Sequence, residues 1–122
     1  MPVDRLVIDR EKWGKNALLN TDGTMCCLGH LSVACGIPPA KLRTVEGEHL
    51  GYPDPEWKDV NEWARREMTE EESKNGIYLD RQKAADINDC DETKWADKER
   101  MLIEIFARNG IQLSFIGPMK EE

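Results

Sequence analysis

The chain has 122 residues, 39% of them hydrophobic and 34% charged, and carries a net charge of -7. That length makes one domain, residues 1–122, able to bury a single core without disulfide or metal staples. No apolar run approaches the roughly 18 residues of a membrane span, and the negative balance argues against direct nucleic-acid binding and for a partner with a basic surface.

The opening "MPVDRLVIDREKW" lacks a basic region followed by an apolar stretch, so a cytoplasmic protein is the expectation. Leu6, Val7 and Ile8 form a β-branched run that predicts a strand over 5–9. Apolar arms flank Asn20-Thr21-Asp22-Gly23, a hairpin signal that predicts strands near 17–20 and 24–27. The period then changes. Cys27, Leu28, Leu31, Ala34 and Cys35 recur at helical spacing, which predicts a helix over about 27–36. Gly36 and Pro38-Pro39 stop it, and "PAKLRTV" allows one further helical turn.

"EGEHLGYPDP" reads as an exposed loop. Asp54 as cap and Pro55 at the first helical position open a helix over about 55–72. A shorter helix is predicted over 80–87, with Asp80 at its start. "TKWADKERMLIEIFARNG" gives the clearest helix, over about 94–109, with Trp95, Leu102, Ile105 and Phe106 on one face and Met101 adjoining. Ile111, Leu113 and Phe115 alternate with Gln112 and Ser114, which predicts a half-buried strand over 111–116. The sum is an α+β domain: a small antiparallel sheet packed by three or four helices.

Chemistry concentrates in "TDGTMCCLGHLSVACG", which holds three of the four cysteines. Adjacent Cys26 and Cys27 do not suit a bridge, and without an export signal reduced thiols are the default. Thiols at a helix N-terminus gain thiolate character from the dipole. Cys26 or Cys27 with His49 and Asn88, or Asp89 in place of Asn88, would make a nucleophile, a base and an orienting group. A metal set would take Cys26 and His30, four apart on one helical face, completed by Cys90 or Cys35. The plainer reading makes the segment a buried packing helix, because free cysteine behaves as a small hydrophobe. In that reading Asn88 and Asp89 accept backbone hydrogen bonds at a turn or helix start. No cofactor is implied, since no G-x-G-x-x-G, Walker, H-E-x-x-H or G-x-S-x-G motif occurs. A protein partner would meet Tyr52 and Trp57 beside the Pro-rich loop, or the acidic surface of Glu67, Glu70, Glu71 and Glu72.

The order "W…LLNTDGTMCCLGHLSVACGI", then "ADIND", then "ARNGIQLSF" resembles a group of small bacteriophage and bacterial proteins without an assigned function. In that group a D-G turn, a C-C-L-G helix, an I-N-D segment and a final "F…NGI…F" stretch recur. The likeness covers residues 13 to 36 and 84 to 116. It implies a phage or prophage context and no functional residues. The expected function is therefore binding of a host or phage protein, with counter-defence inhibition as the analogy and homo-oligomers allowed. The alternative is a small-ligand or nucleotide-binding protein, or a cysteine-dependent enzyme, with a pocket near Cys26, His30, Asn88 and Asp89.

Overall fold

A computed structural model describes residues 3–16, 19–42, 70 and 79–120. Its elements follow the chain as β1 (Arg5–Asp9), α1 (Cys27–Ala34), α2 (Pro39–Leu42), α3 (Leu79–Asp89), α4 (Trp95–Arg108) and β2 (Gln112–Ile116). A single 3-10 turn, Arg10–Lys12, follows β1. The domain is α+β, as its periodicities predict. The helix expected over 55–72 lies outside the described residues except for exposed Glu70.

The sheet corrects one expectation. β1 and β2 pair in parallel, Leu6 opposite Leu113 and Ile8 opposite Phe115, so the sheet is not antiparallel. Its two strands come from the two ends of the chain, and the helices lie in the long connection between them. Parallel pairing requires such a crossover. Alternation sets which side chains face inward, and it does so equally for either direction of pairing. Leu6, Ile8 and Leu113 are buried, while Arg5, Val7, Gln112 and Ser114 face outward.

The hairpin is a second correction. Its turn forms: Gly23 N–H donates to the Asn20 carbonyl (3.0 Å) and Asn20 N–H to that of Thr24 (2.8 Å). Gly23 takes φ +89°, the left-handed conformation that favours glycine. Among the described residues the arms do not pair as strands. Met25 instead bridges Trp13, with Met25 N–H donating to Lys12 and Gly14 N–H to Met25, both at 2.9 Å. Residues 17 and 18 lie outside the described set. The outgoing arm thus takes a partner that lies before the turn in sequence, which the local turn signal does not specify.

α1 and α4 end in the same way. After α1, Gly36 N–H donates to Val33 and Ile37 N–H to Ser32; after α4, Gly110 N–H donates to Ala107 and Ile111 N–H to Phe106. Gly36 and Gly110 both have positive φ, and each following isoleucine is buried. This pattern satisfies the last helical carbonyls and turns the chain into the core.

α1 is buried almost all round, from Cys27 through Ser32, as befits a helix enclosed by the core rather than lying on it. It packs between β1 and α3. Trp13, Leu28, Leu31, Leu102 and Phe106 are among the fully enclosed side chains. Lys98 and Glu99 on α4 are buried as well, though periodicity singled out only apolar positions there.

Candidate functional site

The N-terminus of α1 has no side-chain cap of its own, because its N-cap is Cys26. The cap comes from the far end of α3. Asn88 is completely buried, and its Oδ1 accepts from Cys27 N–H (3.0 Å) and from the Trp13 indole Nε1 (2.7 Å). Its Nδ2 donates to the Gly14 carbonyl (3.0 Å) and to Asp89 Oδ1 (2.9 Å). Two acceptor positions and two donor protons are all used, the full capacity of a carboxamide. Asp89 Oδ1 also accepts from Asn16 N–H (2.8 Å).

α4 contributes the third tie. Lys98 is fully buried, and its Nζ donates to the Asn88 carbonyl (2.9 Å). That carbonyl belongs to the last turn of α3, where acceptors lack helical donors and cations are favoured. Burial, reinforced by nearby Lys15, pulls the Lys98 ammonium below the ordinary lysine range. Asn88 thus joins the loop after β1, the start of α1 and the end of α3, and Lys98 attaches α4 to the same point.

The predicted site residues divide accordingly. Cys26 and Cys27 stand at a helix start, as the thiolate reading required, but both are buried. Desolvation pushes the Cys26 thiol up to about 12 and that of Cys27 well above its usual value. Burial outweighs the nearby N–H groups, so both thiols are protonated at neutral pH. Cys27 Sγ–H points at the Ala84 carbonyl (3.9 Å), and Cys35 is buried too.

His30 is buried, and its Nε2 donates to the Lys12 carbonyl (3.1 Å). Burial holds its imidazole below the usual range. Cys90 is half-exposed, beyond α3, and the Thr93 hydroxyl with neighbouring backbone N–H groups lowers its thiol. Among the described residues no three His, Cys, Asp or Glu side chains are grouped to hold a metal ion. His49, Tyr52, Trp57, Glu67, Glu71 and Glu72 lie outside the described residues.

Three groups escaped sequence reading. Arg10 grips Glu99 with a two-pronged ion pair, Nε to Oε2 at 2.7 Å and Nη2 to Oε1 at 2.9 Å, and donates through Nη1 to the Gly117 carbonyl. It thereby locks the ends of both strands to α4. Lys98 and Glu99 fall on the stripe between Trp95 and Leu102, so charged residues at core-facing positions were the available signal. The third is a groove of about 530 Å³ on the solvent side of the Asn88 junction. Trp13, Trp95, Lys15, Asn16, Asp22 and Lys120 are among the residues that line it. The Trp13 and Trp95 rings meet edge-on at 4.6 Å.

No described helix is long and apolar enough to cross a membrane. No family model, curated protein or solved structure matches the chain.

Proposed function

We propose that the protein is a non-enzymatic binding protein that engages a host or phage protein through its acidic exterior. What carries this reading is the saturation of its chemistry-bearing groups. Asn88 spends its full hydrogen-bonding capacity inside the fold, and Cys26 and Cys27 are buried and protonated. Of the residues that could have formed a nucleophile with its helpers, Asn88 instead joins helices and Cys26 and Cys27 lie in the core, while His49 is outside the described residues.

The surplus charge of -7 has exposed carriers among the described residues, including Glu70, Asp86, Asp91, Glu92 and Glu104. A surface of this sign attracts a basic partner at long range and makes association salt-sensitive. The partner is a protein of host or phage origin, in keeping with the resemblance of the D-G, C-C-L-G and I-N-D segments.

The test is capture from host lysate at low salt, followed by reconstitution with the purified partner. Complex formation should weaken steeply between 50 and about 300 mM salt. It should also fall when Glu70, Glu71 and Glu72 are changed together to lysine, and persist in Cys26→Ala. Failure to recover a specific partner at low salt, or a complex indifferent to both salt and charge reversal, overturns the reading.

A further inference from the structure

The groove beside the Asn88 junction gathers positive charge on a chain that is acidic overall. Among the described residues, three ammonium groups converge on one indole: Lys98 lies 4.3 Å from the Trp95 ring centroid, Lys120 5.1 Å and Lys15 5.2 Å. Cations are drawn to an aromatic face, but each repels the others, and a net charge of -7 supplies ample carboxylates with which to separate them.

Among the described residues, three carboxylates stand nearby. Asp91 pairs with Lys15 at 3.1 Å, with its own side chain 90% exposed. Asp22 lines the groove, accepts from Thr24 through the backbone N–H (2.9 Å) and the hydroxyl (2.6 Å), and is stabilised as a carboxylate by the charge of Lys120 across the groove. Asp89 is held by Asn16 and Asn88. Among the described ion pairs, neither Lys98 nor Lys120 has a carboxylate within bonding distance. Lys98 is moreover buried, its Nζ donating to the Asn88 carbonyl and Asp89 offsetting only part of a charge that burial makes costly.

The geometry points to an oxyanion site in this groove, one that takes a phosphoryl or sulfate-type group between Lys15 and Lys120, with Lys98 behind them. The volume, about 530 Å³, exceeds what a lone phosphate occupies. The walls formed by Trp13 and Trp95 supply apolar surface for the remainder of a larger ligand. Lys15 reaches the anion by exchanging its solvent-exposed partner Asp91 for it. This site is distinct from the acidic exterior invoked above and stands or falls separately.

Titration of the full-length protein with inorganic phosphate, pyrophosphate and phenyl phosphate, against sodium chloride at matched ionic strength, tests the assignment. The readouts are the Trp95 indole and Asn16 amide resonances in two-dimensional ¹H–¹⁵N spectra, with Trp95→Phe identifying the indole. A saturable shift with the phosphates and not with chloride is expected. Tighter binding of phenyl phosphate than of inorganic phosphate would identify the group as part of an aromatic ligand; the reverse order would identify a free anion. Lys15→Gln and Lys120→Gln should each weaken binding about fivefold, as expected for one partly screened charge. Asp91→Asn should tighten it by a similar factor, because it frees Lys15. That gain separates a binding role from a structural one, since removing an ion pair cannot strengthen the fold's hold on a ligand that is not there. Shifts that chloride reproduces overturn the proposal. So does an Asp91→Asn variant with unchanged affinity, or a folded Lys15→Gln/Lys120→Gln double variant that binds as tightly as the wild type.

Discussion

Asn88→Ala should be among the most damaging single substitutions in this protein. The change removes four side-chain hydrogen bonds at once and leaves two buried donors without acceptors: the indole N–H of Trp13 and the backbone N–H of Cys27, both in completely buried residues. An orphaned buried polar group costs roughly 1–3 kcal/mol. Two such donors, with water excluded, make about 3–5 kcal/mol, a large share of the roughly 5–15 kcal/mol by which a domain is stable.

Asn88→Asp separates the terms. It keeps an acceptor for Trp13 and Cys27 but sets a carboxylate oxygen against the Gly14 carbonyl and against Asp89, where Nδ2 donated. At pH 7 the repulsion adds to the lost bonds. Protonation of the new carboxyl restores one donor, so this variant should recover stability, relative to wild type, as pH falls toward 5. Urea unfolding followed by tryptophan fluorescence and far-UV circular dichroism gives both values. A loss below about 1 kcal/mol for Asn88→Ala, with an unchanged denaturant slope, would refute the assignment of Asn88 as the junction of the fold.

Thiol labelling of the folded protein at neutral pH should modify Cys90 first, and Cys26, Cys27 and Cys35 only as fast as the chain opens; rapid labelling of Cys26 or Cys27 would contradict their burial. Glu99→Gln leaves the Arg10 fork facing a neutral amide and should cost about 1–2 kcal/mol in urea unfolding, with a double-mutant cycle against Arg10→Met returning most of it as coupling energy. His30 is held below its ordinary range chiefly by burial, so the unfolded chain takes up its proton first as pH falls. The corresponding stability is complete above pH 6.5 and is lost as pH falls below it; His30→Gln lacks this loss, so the wild-type-minus-variant difference in urea midpoint should be constant above pH 6.5 and decrease below it.

Much of the local structure is written in particular residues. Strand β1 follows from Leu6-Val7-Ile8, and β2 from the alternation of Ile111, Leu113 and Phe115. The end of α1 follows from Gly36, that of α4 from Asn109-Gly110, and the turn at Asn20–Thr24 from Asp22-Gly23. In each case the cause lies within a few residues of the effect. The direction of strand pairing was not legible, since an alternating pattern buries the same side chains in either orientation. The second arm of the expected hairpin was lost for a related reason: Met25 found Trp13, twelve residues back, and not the segment facing it across the turn.

The candidate site divides along the same line. That Asn88 accepts backbone hydrogen bonds was implied by its side chain. That it caps α1, a helix beginning 61 residues earlier, was not, because Cys26-Cys27 looks from sequence like a helix start with free N–H groups and hence like a place for thiolates. By itself the sequence determined the periodicities, the helix stops, the turn chemistry and the surplus of negative charge, all properties of short segments or of sums over the chain. Only the tertiary structure decided that Cys26, Cys27 and Cys35 are buried, that Lys98 ties α4 to the Asn88 carbonyl while Arg10 grips Glu99 of α4 and the Gly117 carbonyl, and that three lysines of the described residues gather around Trp95. Those outcomes depend on which groups water can still reach, and solvent access is settled only when segments far apart in the chain close over one another.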